Sequence, residues 1–342
     1  MRKLIFSTVL AVLAIMLWYL TNNQKKEVEP YSKISRVMST IAEVKFFGNR
    51  PEAEKASAIV DGTFAEIELT CNIFNPESEI SKLNATAVRT PFKCSPMLWE
   101  VLDYSRKVNA ISEGAFDITV KPLMSLWGFH GKRLELPDEQ EVAETLKRVG
   151  LDKVVFDDAE HTVFFTCEGM SFDLGGIAKG FAVDKAVERV LNETSIRAGL
   201  VNLAGNMRAL PVPPPGRKSY IIGVRNPVHK ETVCGRIEFL SSIATSGDYE
   251  RYTVIGGRKF THPMDIGTGR PVEGMIAVTV VTPLATLADG FSGSTFIKGE
   301  KFARELCAKI PGTNILIIRH NPDDPQKIDI IKIGDIWGEI KL

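Results

Sequence analysis

The sequence has no excess of either charge: 42 basic side chains stand against 42 acidic ones, for a formal net charge of zero. Nucleic-acid binders normally carry a strong basic balance, so that class is excluded and no nucleic-acid partner is expected. Cysteine is sparse. The five, at 71, 94, 167, 234 and 307, lie at least 23 residues apart. That spacing leaves no Cys-x-x-Cys, no zinc-ligand pattern and no disulfide framework, and the thiols read as small buried hydrophobes. Internal repeats and low-complexity tracts are also missing. With 44% hydrophobic and 25% charged residues among 342, the chain is neither disordered nor collagen-like. It is long enough for one large domain or two smaller ones with ample core.

Only one long apolar run is present. Arg2 and Lys3 precede Leu4–Leu20, which holds no charge and only Ser7 and Thr8 as polar groups. As a helix it would be about 25 Å long, close to the thickness of a hydrocarbon core. Trp18 and Tyr19 suit a membrane interface. Residues 1–26 are therefore expected to act as a signal peptide or signal anchor. A polar linker over 27–35 and one domain over 36–342 would follow, on the extracytoplasmic (periplasmic) side of the inner membrane. A buried amino-terminal helix is the competing reading.

Periodicity predicts helices over 51–70, 96–112, 138–149 and 177–192. Strands are expected at Val154–Phe156, Val163–Thr166 and Met170–Leu174, then at Tyr220–Val224, Gly235–Ser242, Tyr252–Ile255, Ala277–Thr282 and Ile315–Arg319. The proline-rich stretch 211–218 cannot pair well in a sheet. Helices and strands that do not strictly alternate suggest an α+β fold: one large domain of mixed sheets flanked by helices.

Four segments carry chemistry. In Phe172-Asp-Leu-Gly-Gly-Ile-Ala-Lys-Gly-Phe-Ala-Val-Asp184 a strand-like stretch turns through two glycines into a helix. Amides and the positive dipole at a helix start, with Lys179 beside them, would attract a diphosphate. A plain strand-to-helix turn is the alternative, since neither common nucleotide loop is present. Asp289 and Ser292 offer hard oxygens of the kind magnesium accepts, or Asp289 caps a helix starting near 290. His262, with Asp265 three residues on, is a candidate general base or a packing residue. Ala244-Thr-Ser-Gly-Asp-Tyr249 adds hydroxyls and amides after an apolar strand.

Further segments complete a pattern: Met38-Ser-Thr40, Asn75-Pro-Glu-Ser-Glu-Ile-Ser-Lys-Leu-Asn84, Gly114-Ala-Phe-Asp-Ile-Thr-Val-Lys-Pro-Leu123 with Leu126-Trp-Gly-Phe129, Val201-Asn-Leu-Ala-Gly-Asn206, Gly223-Val-Arg-Asn-Pro227, Thr268-Gly269 and Ala288-Asp289-Gly290. Together with the four above, and taken in chain order, they resemble the ApbE family of flavin transferases over about 36–300. The resemblance implies a magnesium-dependent enzyme that moves FMN from FAD onto a Thr or Ser hydroxyl of a partner protein and releases AMP. Partners would be redox-complex subunits or exported flavoproteins bearing a Ser/Thr-Gly-Ala-Ser/Thr motif.

On the same resemblance, Asp289, Ser292, Gly293 and the carbonyl of Gly176 fall at the metal site, and His262 and Asp289 carry catalysis. Asp173, Lys179, Met264 and the Ala115-Phe116-Asp117 segment would hold FAD, with Met38 and Phe74 flanking its isoalloxazine. Three positions depart from the pattern. Gly293 stands where the family has threonine, Asn206 where it has aspartate, and Phe74 where it has tyrosine. An FAD pyrophosphatase and an FAD-binding protein without turnover are the alternative readings.

Overall fold

The computed structural model describes residues 29–229 and 231–342. The apolar run expected as a signal or anchor over 1–26 lies outside these residues, and among the described residues no helix is long and apolar enough to cross a membrane.

Eight antiparallel strands form the central sheet, and their order in space is their order in the chain. They are β1 (Tyr31–Val37), β2 (Thr40–Phe47), β3 (Ala198–Leu203), β4 (Asn206–Ala209), β5 (Ser242–Gly247), β6 (Met275–Thr282), β7 (Asn314–His320) and β8 (Ile328–Ile333). Both faces of the sheet's centre are covered, which explains why β6 and most of β7 are runs of buried apolar residues rather than alternating ones. Val278 and Val280 of β6, with Ile315 and Ile317 of β7, join the larger core under the helices. Their neighbours Ala277, Val281, Leu316 and Ile318 face a three-stranded sheet made of Tyr220–Arg225, Val233–Phe239 and Trp337–Ile340. The molecule is thus three layers: helices, large sheet, small sheet.

The helices are α1 (Arg50–Cys71), α2 (Glu79–Thr86), α3 (Pro96–Ile111), α4 (Lys121–Leu126), α5 (Glu139–Leu146), α6 (Ala178–Glu193) and α7 (Ala285–Lys309). Side-chain caps fix where several begin. Asn49 accepts from the Glu52 amide, Ser95 from the Leu98 amide, and Asp138 forms a reciprocal box with Glu141. α6 packs against both α1 and α7, and all three lie over the sheet. Phe64, Phe181, Phe291 and Phe296 are fully buried there, each worth about 1.5–3 kcal/mol of transfer free energy. α7 is two helices joined at Gly299, whose φ of 74° and ψ of −158° break the helical path.

The α+β expectation holds, and five details differ from the sequence reading. Residues 31–35, expected in a linker, are edge strand, paired in unbroken register with β2. Met170–Leu174 is extended but not part of a sheet: the Asn84 side chain takes the place of a neighbouring strand, accepting from the Phe172 amide at 2.7 Å and donating to its carbonyl at 3.0 Å. The single strand expected over Gly235–Ser242 is two, ending at Phe239 and restarting at Ser242 in another sheet. The helix expected over 138–149 stops at Leu146. Asp289 is no cap, because α7 starts at Ala285 and carries it within the helix. The cysteines are all free thiols, with Cys71, Cys94 and Cys234 buried.

Candidate functional site

A cleft of about 570 Å³ opens where the helix layer meets the β1–β2 hairpin and the strands after β5. Met38, Phe74, Ala115, Phe116, Asp117, Asp173, Gly176, Lys179, His262, Met264, Asp289 and Gly293 all line it, brought together from across the chain. Ser292 does not line it. That hydroxyl is fully buried behind the floor, donating to the Asp289 carbonyl at 2.8 Å and sharing a hydrogen bond of 2.7 Å with Ser246.

The floor is made by two helix starts that cross closely. A Cβ on Gly180 would sit 2.2 Å from the Ala285 carbonyl oxygen, so only glycine permits the approach. The crossing lets the Gly180 amide donate to Asp289 Oδ2 at 3.0 Å. The first turn of α7 has no side-chain cap of its own. Asp184 of α6 supplies one, accepting from the Ala285 and Thr286 amides and the Thr286 hydroxyl, with Arg208 as its counter-ion at 2.7 Å. The sequence motif that ends at Asp184 therefore clamps α6 to α7.

Positive charge on the floor comes from Lys179. Two of the first α6 amides are already used, Ala178 on the Leu174 carbonyl and Gly180 on Asp289, so the expected row of free donors is shortened. Lys179 Nζ lies 3.1 Å from the Gly175 carbonyl and 3.5 Å from Asp289 Oδ1. A Cβ built on Gly293, in the next turn of α7, meets nothing within 4 Å. The space beside Asp289 is open.

Glu250, given no role from the sequence, lies on the cleft wall. Although the residue is exposed, desolvation by the surrounding wall pushes its carboxyl up to about 7, opposed by Lys179 and reinforced by Asp289. It also lines a second cavity of about 240 Å³ between the two sheets.

His262 is held from behind. Its amide and Nδ1 both meet the Arg251 carbonyl, at 3.3 and 3.2 Å. A carbonyl only accepts, so Nδ1 carries the hydrogen and Nε2 keeps a lone pair. Burial, helped by Lys179, pushes the imidazole down to about 4, so it is a neutral base at pH 7. Asp265, its suggested orienting partner, instead closes its own turn onto the Gly267 amide and Thr268 hydroxyl.

The far end of the cleft is apolar and more open. Met38 and Ser39 form the tip of the β1–β2 hairpin, both with positive φ, 50° and 57°, as a two-residue turn of this type requires. The Met38 amide donates to Glu68 at 3.2 Å. Phe74, 64% exposed, has its ring edge-on to His130 at 5.5 Å and the Arg251 guanidinium 5.8 Å away. Met264 is buried beneath, in a small cluster with Met124 and Trp127.

Two aspartates at this end differ. Asp117 is engaged by the protein itself, accepting from the Thr119 amide and hydroxyl and the Leu151 amide; burial raises its carboxyl against those bonds. Asp173 accepts from the Gly175 amide at 2.8 Å and from His130 Nε2 at 3.1 Å. Burial alone would raise it, but those bonds, with His130 and Arg251 nearby, hold it below the usual carboxylate range.

The candidate metal ligands at Asp289 are oxygens, and among the described residues no three His, Cys, Asp or Glu side chains gather as a metal site. That fits magnesium only as an ion shared with a substrate, because it keeps waters and binds through one or two carboxylates plus phosphate oxygens. Of the departures noted in the sequence, Asn206 leaves its side-chain oxygen buried without a hydrogen-bond partner.

Comparison with known proteins gives a consistent answer. The profile of the ApbE family matches residues 38–317. The chain is similar to the FAD:protein FMN transferase of Haemophilus influenzae, 30% identical over 93% of this chain and 94% of the relative. It is also similar to that of Treponema pallidum, 29% identical over 86% of each. Among solved structures, flavin transferase ApbE from Vibrio cholerae superposes with a TM-score of 0.78 at 25% identity, over 90% of this chain and 97% of that one. The ApbE protein of Thermotoga maritima gives 0.79 at 27% identity, over 88% and 97%.

Proposed function

The chain belongs to the ApbE family and is a flavin transferase; from that premise we propose that it takes FAD and magnesium and moves FMN onto a Thr or Ser hydroxyl of an acceptor protein, releasing AMP. The observation that carries this reading is the neutral His262, whose Nε2 lone pair is left over in the same cleft as the Lys179–Asp289 pair.

The acceptor hydroxyl attacks the FMN-side phosphorus of the diphosphate while the bond to the AMP oxygen breaks. His262 takes the hydroxyl proton at Nε2. Lys179 offsets the charge gathering on the leaving phosphate. Asp289 and the Gly176 carbonyl would hold magnesium, which would neutralise the diphosphate and draw charge from the phosphorus; Ser292, which faces away from the cleft, braces the Asp289 carbonyl from behind. Asp289 is fixed for that role by the Gly180 amide on Oδ2, leaving Oδ1 with Lys179 Nζ, 3.5 Å away, as its partner. Met38 and Phe74 cover the two faces of the flavin, sulfur on one and ring on the other. Asp173 and the Ala115–Asp117 segment line the same end.

We place the reaction outside the cytoplasm, with residues 1–26 tethering the domain to the inner membrane. Acceptors are redox-complex subunits or exported flavoproteins with a Ser/Thr-Gly-Ala-Ser/Thr motif. The test is incubation with FAD, magnesium and such an acceptor, reading acceptor mass and released AMP. One FMN added to the acceptor, and nothing added under a chelator, is the expected result. One feature favours a second reading: the open space at Gly293 beside Asp289 has room for water as nucleophile. AMP and free FMN without labelled acceptor would identify that pyrophosphatase, and bound FAD with neither product would mean binding without turnover.

A further inference from the structure

Against two residues that line the far end of the cleft, Phe74 and Asp173, stands a histidine that neither the motifs nor the mechanism uses. His130 lies just beyond the Leu126-Trp-Gly-Phe129 segment, with its side chain only 9% exposed, as is that of Asp173. Each of its ring edges is committed. Nε2 meets Asp173 Oδ2 at 3.1 Å, Nδ1 meets the Ser125 hydroxyl at 3.2 Å, and the ring lies edge-on to Phe74 with centroids 5.5 Å apart. The carboxylate only accepts, so Nε2 carries the hydrogen.

His130 thus joins three pieces of wall that are far apart in sequence. They are the loop bearing Phe74, the end of α4 bearing Ser125, and the extended stretch bearing Asp173. That last stretch has no strand beside it. It is held only by isolated bonds, the Asp173 amide on the Ile118 carbonyl at 2.7 Å and the Asn84 amide on Phe172. Without His130, Oδ2 of Asp173 loses its one charge-assisted partner, while Oδ1 keeps only the Gly175 amide two residues on.

We propose that His130 is a positioning residue for flavin recognition: its Nε2–H fixes the Asp173 carboxylate against the cleft while its ring backs Phe74, so that the acceptor for the flavin's polar edge and the plane that covers its rings are set by one side chain. A carboxylate has about four lone-pair sites, and two are used within the protein here. Those remaining are offered to a ligand's N–H or O–H and not to its phosphates, which a carboxylate repels. This assigns Asp173 to the ring and ribityl part of the ligand and leaves the diphosphate to Lys179. The proposal rests on the reading of the cleft as an FAD site.

Three variants of the full chain separate the two halves of the role. His130→Phe keeps a ring against Phe74 and removes the donor. His130→Gln keeps a donor at nearly the same reach and removes the ring. His130→Ala removes both. Dissociation constants for FAD and for riboflavin, which has the rings and ribityl chain but no diphosphate, are read from flavin fluorescence, with kcat and KM where turnover is present.

The expected result is a loss of about tenfold in affinity for His130→Phe, by the same factor for both ligands, with His130→Gln recovering most of it. The kinetic loss falls mainly on KM. A His130→Phe variant that binds like wild type, or a His130→Gln variant as poor as His130→Phe, overturns the donor role. A loss confined to FAD overturns the assignment to the ring end. Wild type that binds neither ligand overturns the proposal together with the FAD reading. Wild type that binds both but transfers nothing overturns the transferase reading alone.

Discussion

The two ends of the cleft are built in opposite ways. The floor is made by helices crossing so tightly that a methyl group at Gly180 would collide with Ala285. Its key groups, Asp289, Asp184 and Ser292, are buried and bonded to backbone. The far end is made by a hairpin tip, a loop and an extended stretch, with Phe74 mostly exposed. In the proposed function a bond is broken at the floor, and rigid placement suits that end, because misplacement by an ångström is costly there. The open end would have a different task, to admit the planar ring of the flavin. Damage to the floor should therefore appear in kcat and in stability, and damage to the rim in affinity.

The largest effect is expected at Asp289. Asp289→Ala should lower kcat by about 10³-fold or more and abolish any dependence on added magnesium, while riboflavin still binds at the rim. An Asp289→Ala enzyme whose main defect is in riboflavin affinity would erase the division between the ends. Next comes His262→Ala, which should cost about 10²–10³ in kcat with FAD affinity nearly intact.

The His262 pKa has a sign that can be checked. It falls from 6.5 to about 4 on folding, so the folded state resists protonation. The stability tied to this group is complete above 6.5 and is lost as pH falls toward 4. The acid limb of kcat should likewise have no inflection near 6.5 that His262→Ala removes.

Gly180→Ala is expected to destabilise the protein by about 1–3 kcal/mol, seen as a lower urea midpoint. Riboflavin affinity in the folded fraction should be spared.

On the rim, Phe74→Ala should weaken FAD binding about tenfold with little change in Tm, and Phe74→Tyr should bind at least as well as wild type. The smallest effect belongs to Glu250. Its pKa rises from 4.5 to about 7 on folding, so its contribution is full below 4.5 and is lost as pH rises through 7. Because Glu250 is exposed, solvent screens much of this, and Glu250→Gln should raise Tm by only about a degree at pH 8 and by less at pH 5.

Much of this was legible in the residues, for reasons that differ along the chain. α1 and α3 announce themselves because each has one buried stripe and a capping residue before Pro51 or Pro96; α6 shows through its apolar spacing, although Gly180–Asp184 is buried on every side. β6 and β7 are visible as apolar runs. The edge hairpin β1–β2 was hidden, since β1 alternates polar and half-buried residues on an open edge, and local pattern cannot tell that from a linker. Met170–Leu174 has the composition of a strand, but its partner is one side chain, Asn84, which no periodicity reveals.

The segments of the candidate site were readable as a resemblance, because glycine and charge stand at fixed spacings in them. His130 and Glu250 were not, because their surroundings come from elements distant in sequence. The same holds for Ser292, which is in the right segment but faces away from the cleft.

The sheet whose spatial order equals its chain order has a consequence for how the molecule folds. Hairpins such as β1–β2 and β3–β4 close over two residues and can form early and alone. Joining β2 to β3 must instead close the stretch 48–197, and joining β6 to β7 the stretch 283–313, closures whose entropy is paid before the contacts repay it. α6 lies in the first stretch and α7 in the second, and the floor exists only once they meet. Flavin capture should therefore appear in the last kinetic phase of refolding, after most of the strand signal has returned.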